Sequence, residues 1–565
     1  MSVILILLLS IFLTPINLNA QPETRKYIVE LESVHIASLP GLHSFAFGQH
    51  EGKWLLMGGR TDGLHARRPN ESFPLEYNNQ QLVVVDPESK EYWTASVTAL
   101  PTGISEQLQA TNMNFHQWGD TLYIIGGYAY SETADNHITF PKLTTVRVSK
   151  VIDQIIDGTL DDQYFSHLYD ERLAVTGGQL GRIGDELYLV GGHRFDGRYN
   201  PRDMPSFTQT YTNAIQRFAI GHTPDATILS HHSVIDTDHL RRRDYNLAPF
   251  QFTDGRPGYL ISSGVFQEDA DLPFLYPVEI DDESYYPVPE FEQLLSHYHS
   301  PKFSFYDSST DALHMIFLGG LAQYYYEEGQ LIQDDRVPFV TSISRVSRAA
   351  DGTYSEHLHQ EAMPGFLGTS AEFIPNPALA RNATGVLLLN EIPDERILIG
   401  HMAGGIVSPI RNPFSENLTD LTYADTTIYR IWLTAGDVTR AGSGSDDSDS
   451  DRSDSGFDGS DFGSESGSGT LPDTPQLNQN YPNPFNPSTV IRYSIPELSH
   501  VRLEVFNMLG QRVALLVDEI QDTRFYEATW HANHASGMYF YRLEAVPVHD
   551  GANSFVRMNS MLLVK

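Results

Sequence analysis

Short apolar runs separated by polar turns recur along the first four hundred or so residues. A strand-like run ends in a polar turn, and a second apolar run follows and stops at paired glycines. The clear copies are Lys53-Trp54-Leu55-Leu56-Met57-Gly58-Gly59, Thr121-Leu122-Tyr123-Ile124-Ile125-Gly126-Gly127, Glu186-Leu187-Tyr188-Leu189-Val190-Gly191-Gly192 and Leu313-His314-Met315-Ile316-Phe317-Leu318-Gly319-Gly320. Weaker copies are Tyr259-Leu260-Ile261-Ser262-Ser263-Gly264 and Ile397-Leu398-Ile399-Gly400-His401-Met402-Ala403-Gly404-Gly405, so six units are expected. The turn before each second run is rich in Gly and Asp, as in Glu51-Gly52, Gly119-Asp120, Gly184-Asp185, Asp254-Gly255, Thr310-Asp311 and Pro393-Asp394-Glu395. Those residues suit tight hairpin turns. After each glycine pair come a long polar loop and a third strand, such as Gln81-Leu82-Val83-Val84-Val85 or Thr427-Ile428-Tyr429-Arg430-Ile431-Trp432. A more polar fourth strand, for example Glu91-Tyr92-Trp93-Thr94, closes most units.

This four-strand unit with its closing glycines resembles the kelch family of β-propellers over most of residues 21–435. The resemblance implies an all-β fold, a six-bladed kelch-like propeller. The units run to roughly 70 residues against roughly 50 in the family, and Ser263-Gly264 stands in for the fourth glycine pair. The last unit lacks a fourth strand after Trp432. Lys26-Tyr27-Ile28-Val29-Glu30-Leu31 is expected to supply it, which would pair the termini and remove exposed sheet edges.

The ends of the chain carry other signals. The apolar run from Val3 to Ile16, followed by Leu18-Asn19-Ala20, reads as a signal peptide spanning residues 1–20. It is short for a transmembrane helix, and no other segment is long and apolar enough to span a bilayer. Residues 436–475 are dominated by Gly, Ser and Asp, a composition that predicts a flexible, charge-extended linker. Its Asp-rich register lacks the closing Glu of a calcium loop.

Beyond the linker, residues 476–565 carry Asn480-Tyr481-Pro482-Asn483-Pro484-Phe485, then alternating strands with turns at Gly510 and Gly537, then Met538-Tyr539-Phe540-Tyr541, and the chain ends at Lys565. This stretch resembles the type A sorting domain of the type IX secretion system of Bacteroidota and their relatives. The resemblance implies a small immunoglobulin-like β-sandwich, recognised by the type IX machinery through Asn480, Tyr481, Pro482, Asn483, Pro484, Phe485, Gly510, Gly537, Tyr539 and Lys565. It also implies export through the periplasm to the cell surface or the medium.

The charge narrows the partners. Against 37 Lys and Arg stand 72 Asp and Glu, a net charge of −35, which repels phosphate backbones and argues against nucleic acid. There is no cysteine, so disulfides and a lipid-anchored cysteine are excluded. The missing cysteine also removes the cross-linked cofactor of the copper radical oxidases that use kelch propellers. No phosphate loop, nucleophile elbow or zinc-protease helix is present, and no cofactor or metal is expected. The His pairs at 231/232, 297/299 and 357/359 lack a third ligand. A monomer is expected.

Candidate chemistry lies on one face. In a four-stranded antiparallel unit the long loops after the glycines leave opposite the tight turns, and such loops carry function. The first contributes Arg60, His65 and Arg67, and the third His193, Arg194, Arg198, Tyr199 and Asn200. The connection from unit three to unit four adds Arg242, Arg243, Asp244 and Tyr245, and the fifth loop adds Tyr324 and Tyr325. Arg and Tyr together suit forked bonding to carboxylates and stacking on sugar rings, although Asp62, Asp196 and Asp244 are near enough to pair with those arginines. The reading favoured is a non-catalytic protein whose loop face binds an extracellular glycan or protein. A carbohydrate enzyme of the mutarotase, epimerase or lyase kind, and a purely structural surface part, stay open. A narrow pocket holding an acid and a base favours the enzyme; a shallow face favours binding.

Overall fold

Strands dominate the computed structural model, which describes residues 25–67, 71–200, 206–222, 226–327, 329–389, 396–437, 476–477, 480, 485–507, 511–547 and 555–563. The expected signal peptide, nearly all of the expected linker, the expected sixth turn at Pro393, Asp394 and Glu395, and Tyr481, Pro482, Asn483, Pro484, Gly510 and Lys565 lie outside the described residues. The chain divides into two compact units at residue 446.

Among the described residues the first unit contains six sheets built on four antiparallel strands each, with four smaller sheets of two or three strands beside them. In the first, Ala46–His50, Lys53–Met57, Gln81–Asp86 and Glu91–Ser96 pair in chain order. The second to fifth repeat that order, beginning with Asn114–Trp118, Gln179–Ile183, Asn246–Gln251 and Lys302–Asp307. In the sixth, Glu372–Pro375, Ile397–Ala403 and Ile428–Asp437 are completed by Arg25–Val34, paired from Arg25↔Asp437 to Val34↔Ile428.

Strand periodicity explains how the sheets pack. Successive side chains point to opposite faces, and here both faces are buried, so the second strands are mostly apolar on both faces. Leu55 and Met57 join Leu122 and Ile124 in one core, while Trp54 and Leu56 join Ile374, Ala403 and Ile428 in another. The second sheet packs on the third through Tyr123 and Leu189, and the third on the fourth through Tyr188 and Tyr259. The fourth packs on the fifth through Phe250 and Phe317, and the fifth on the sixth through Phe305 and Ile431. Each sheet therefore shares one core with the sheet before it and one with the sheet after, and the sixth shares its second core with the first.

Two sets of backbone hydrogen bonds follow the same cyclic order. The second glycine of each pair donates to the next sheet's entry segment: Gly59 to Ala110, Gly127 to Val175, Gly192 to Arg242, Gly264 to His297, Gly320 to Leu367 and Gly405 to Leu42, at 2.7–3.1 Å. The first glycine lies against the same carbonyls. At Gly126, with φ +66°, a Cβ would sit 1.8 Å from the Val175 oxygen, so the approach requires glycine. In the fourth sheet Ser263 holds a similar φ of +56°, and its hydroxyl donates to Phe274 O at 2.6 Å.

The second set is a closed ring. Asn112 N–H donates to Ser44, Gly177 to Asn112, Asp244 to Gly177, His299 to Asp244, Ser370 to His299 and Ser44 to Ser370, at 2.7–3.3 Å. Each of these residues sits just before the first strand of its sheet.

Two features depart from the sequence pattern. Helix Val148–Asp157 follows the third strand of the second sheet, buries Val151, Ile152 and Ile155 and stops at Gly158 with φ +68°. In the sixth sheet the first and second strands are not joined by a tight turn. Residues 376–389 leave Pro375 and reach the neighbouring sheets, where Leu387–Leu388 pairs in parallel with Phe305 and Tyr306.

In the second unit, Ser488–Ile495 pairs with Arg524–His531 and Gln476–Leu477, and Ser499–Asn507 lies between Arg512–Gln521 and Gly537–Pro547, with Phe555–Leu563 outermost. Ile491 and Tyr493 from one sheet and Val501, Leu503 and Tyr541 from the other share a core. Asn480 and Phe485 are buried; Asn480 N–H donates to Tyr541 OH at 2.8 Å, and Phe485 lies 5.5 Å from the Trp530 ring. Tyr539 packs against Trp530 at 5.2 Å, and its hydroxyl donates to Ala535 O at 2.8 Å.

Candidate functional site

Two cavities meet at the ring of backbone hydrogen bonds. Ser44, Asn112, Asp244 and His299 line both. One cavity, about 220 Å³, lies on the side of the long loops, and the other, about 720 Å³, on the side of the tight turns.

The loop-side cavity draws its walls from the loops after the glycines. His65 stacks on Phe73 at 4.8 Å and meets Tyr199 and Phe414 edge-on at 4.9 and 5.3 Å. Burial pushes the His65 imidazole down to about 4, so it is neutral at neutral pH. Burial, aided by Arg243, holds His193 well below its ordinary value; its Nδ1 lies 2.6 Å from the Gln209 amide, which fixes Nδ1 as the acceptor. Phe195 and Tyr128 complete the aromatic wall, and Tyr128 donates to Gly197 O at 2.8 Å.

Arg243 is the cationic group best placed for a ligand. Its Nε donates to Tyr211 OH at 3.0 Å, its Nη1 pairs with the Asp244 carboxylate, and its guanidinium lies 5.0 Å from the Phe266 ring. Burial works against its charge, yet Asp244, Tyr211 and Tyr298 raise its pKa above the ordinary value. Arg60 also lines the cavity, but its guanidinium is committed: Nε and Nη2 grip Asp62 at 2.9 and 2.6 Å, and Nη1 donates to Asn78 at 2.8 Å. On its other side Asp62 faces His43 Nε2 at 3.5 Å, and burial lowers the His43 pKa.

Of the fourteen loop-face residues that the sequence singles out, the structure gathers Arg60, His65, His193, Tyr199, Arg243 and Asp244 around one cavity. Arg242 must be corrected. It is fully buried, its guanidinium donates to His239, Ser263 and Tyr276 carbonyls at 2.6–2.8 Å, and Phe274 and Tyr276 flank it at 4.3 and 4.6 Å. Burial lowers its pKa to about 10. It holds the entry to the fourth sheet and has no free face for a ligand. Tyr245 is likewise enclosed, donating to Val190 O at 2.6 Å. Arg194 is spent on Glu171 and Asp196, both at 2.6 Å, and lines neither cavity. Arg198 donates to Ser72 O at 2.7 Å, and Arg67 lies over Phe414 at 4.8 Å. Tyr325 stacks under Arg411 at 3.8 Å; Tyr324, Tyr325 and Asn200 line neither cavity.

Sequence reasoning missed the turn-side cavity. Its collar is one apolar residue from the first strand of each sheet: Phe47, Phe115, Leu180, Leu247, Phe303 and Phe373. The signal was present in Phe47 and Phe115, each four residues ahead of a turn glycine or acid. Of the pair His297 and His299, His297 is structural, with Nε2 2.9 Å from Gln293 O and Nδ1 accepting the Gln323 N–H at 2.9 Å, whereas His299 lines both cavities. No cluster of metal-binding groups occurs among the described residues.

Residues 479–547 match the family model described as the secretion system C-terminal sorting domain. No curated protein matches the chain. Among solved structures, YjhT aligns at 9% identity over 68% of this chain and 97% of its own, with a TM-score of 0.36. Dimeric latent PorU from Porphyromonas gingivalis aligns at 11% identity over 74% of this chain and 36% of its own, at 0.16. The extracellular domain of the hybrid two component system BT4673 from B. thetaiotaomicron aligns at 8% identity over 95% and 100%, at 0.13. Among the described residues no helix is long and apolar enough to cross a membrane. The chain carries a type IX secretion C-terminal sorting domain, which directs it to the cell surface or the medium.

Proposed function

We propose that the first unit is a six-bladed, kelch-like β-propeller that binds an acidic sugar residue of an extracellular glycan in its loop-side cavity after export. The cyclic order of the six shared cores and the closed hydrogen-bond ring support the propeller. Residues 1–20 would be the signal peptide, 21–435 the propeller, 436–475 the linker and 476–565 an immunoglobulin-like sorting domain.

One observation carries the ligand class: Arg243, buttressed by Tyr211 and Asp244, lines a cavity walled by Phe73, Tyr128, Phe195 and Tyr199. A guanidinium recognises a carboxylate through forked hydrogen bonds, and aromatic faces receive the apolar side of a sugar. At about 220 Å³ the cavity is smaller than the ~300–1,000 Å³ of drug-sized sites, so one sugar ring is the natural occupant. Turnover, as by a mutarotase or epimerase, is the second reading. It draws on the narrowness of this cavity and on Asp244 and His299 at its floor.

The test is a glycan array with the full chain, followed by calorimetric titration with glucuronate and galacturonate. Binding of acidic glycans that Arg243→Gln abolishes supports the reading, and anomer exchange followed by proton NMR then separates turnover from binding. Folded protein that ignores every acidic glycan overturns it.

A further inference from the structure

We propose that the turn-side cavity is a second ligand site, built for an anion with an apolar body, such as an aryl or alkyl carboxylate. At about 720 Å³ it falls within the ~300–1,000 Å³ of ligand sites. Its collar of Phe47, Phe115, Phe303 and Phe373 offers an aromatic lining, with Phe47 and Phe115 edge-on at 5.2 Å and Phe303 and Phe373 at 5.3 Å.

The charge at this collar runs against the rest of the protein. In a chain of net charge −35, the cavity is lined by three cations, Arg182, Lys302 and Arg381, and two carboxylates, Asp244 and Glu372. Asp244 is engaged by Arg243, while Glu372 lies 3.3 Å from His299 Nε2 and also acts on Lys302, so the collar keeps one cation more than its carboxylates. Arg182 lies 3.6 Å over Trp118 and reaches Asp185 at 3.4 Å. Lys302 donates to the neutral Gln179 Oε1 at 3.3 Å, and burial lowers its pKa against the pull of Glu372. Burial also lowers Arg381, and no carboxylate among the described residues pairs with it. Two desolvated cations beside an aromatic collar call for an anion.

Arg381 is delivered by the segment that replaces the sixth tight turn. That strap is pinned across two sheets: Asn382 donates to Gln251 at 3.2 Å, Thr384 donates to Phe250 O at 3.1 Å, and Leu387–Leu388 pairs with the fifth sheet. Asn382 Oδ1 accepts the amides of Thr384, Gly385 and Val386 at 2.9–3.0 Å, which sets the strap's shape.

The probe is 1-anilinonaphthalene-8-sulfonate, an anion with an aromatic body, titrated into the folded full chain and displaced by 4-phenylbutyrate or by its neutral analogue 4-phenylbutan-1-ol. The expected result is one saturable site. Lys302→Met and Arg381→Met should each weaken 4-phenylbutyrate by about tenfold or more while leaving the alcohol within about twofold. Arg194→Gln, which pairs outside both cavities, should change neither. Should Lys302→Met fail to fold, Arg381→Met on the strap carries the comparison. The proposal is overturned if folded protein lacks a saturable site, or if the charge variants weaken acid and alcohol equally or not at all.

Discussion

The backbone N–H of Ser44 donates to the carbonyl of Ser370 at 2.9 Å, joining residues 326 positions apart in sequence and linking the first sheet to the sixth. Five similar bonds carry the relationship round through Asn112, Gly177, Asp244 and His299. Side chains on these residues are therefore presented at a fixed radius, and four of them line both cavities. The scaffold that fixes the fold also forms the floor of the candidate site.

The glycine contacts between sheets give the first prediction. Gly126→Ala forces a Cβ to within 1.8 Å of the Val175 oxygen at a φ of +66°. Left-handed strain of about 1–2 kcal/mol and overpacking of about 1–3 kcal/mol add to an expected loss of about 2–5 kcal/mol in urea unfolding. Gly119 has a comparable φ of +58° but nothing within 4 Å, so Gly119→Ala should cost only about 1 kcal/mol. Equal losses at the two positions would count against the carbonyl contact as the reason for the glycine.

Much of this order is legible in the sequence because it is local. Val-, Leu- and Ile-rich second strands, Gly and Asp turns and the closing glycines announce each sheet one by one, and the partner for Trp432 could be sought in Lys26–Leu31. The site was only half legible. Arg242 and Arg243 are adjacent and identical in type, yet one guanidinium is consumed by three carbonyls and the other lines a cavity. No local pattern distinguishes them, since two of the three carbonyls come from Ser263 and Tyr276, far along the chain. The turn-side collar was hidden for the same reason: its members lie one per sheet, some 60 residues apart.

That adjacent pair gives the second prediction. Arg242→Met takes the donor from one buried and two part-buried carbonyls and should cost about 2–3 kcal/mol, at about 1–3 kcal/mol for a buried unsatisfied group. Arg243→Gln should unfold near the parent midpoint but lose about ten- to a hundredfold in acidic-sugar affinity, since a hydrogen bond to a charge is worth about 1.5–3 kcal/mol. Denaturation midpoints and calorimetric titrations of both variants make the comparison. An Arg243→Gln protein that unfolds early yet binds normally would reverse the assignment.

Stability should fall on mild acidification. Burial depresses His65, His116, His297, His314, His357 and His401 to about 4, against an ordinary value of 6.5. The unfolded chain then binds more protons between those values, so stability is full above about pH 6.5 and is lost as pH falls toward 4. Glu356, raised by burial to about 7, acts in the opposite sense, its contribution fading as pH rises from 4.5 to 7, and Asp425, also raised by burial, acts with it, but they are two groups against six. Urea midpoints at pH 8, 6 and 5 should decline in that order. Replacing His314, which packs between Tyr27 and Phe305 at 4.8 and 5.0 Å, by Gln should shallow the decline. A midpoint that rises from pH 8 to 5 would show that these imidazoles accept protons in the folded state.

Trp530 tests whether export reads the folded sorting domain or merely its sequence. The indole lies 5.5 Å from Phe485, at the start of the domain, and 5.2 Å from Tyr539 on Gly537–Pro547, so it ties the opening segment to a central strand. Trp530→Ala removes a side chain only 4% exposed and should cost about 3–5 kcal/mol, a large share of the stability of so small a domain. The first unit has its own cores and should keep its acidic-sugar binding. Cell fractionation should then find the variant retained in the periplasm while the parent chain reaches the surface or the medium. A Trp530→Ala chain exported at the parent level, with its sorting domain shown to be unfolded by protease sensitivity, would mean that the machinery reads an extended segment and that the packing around Trp530 serves some later step.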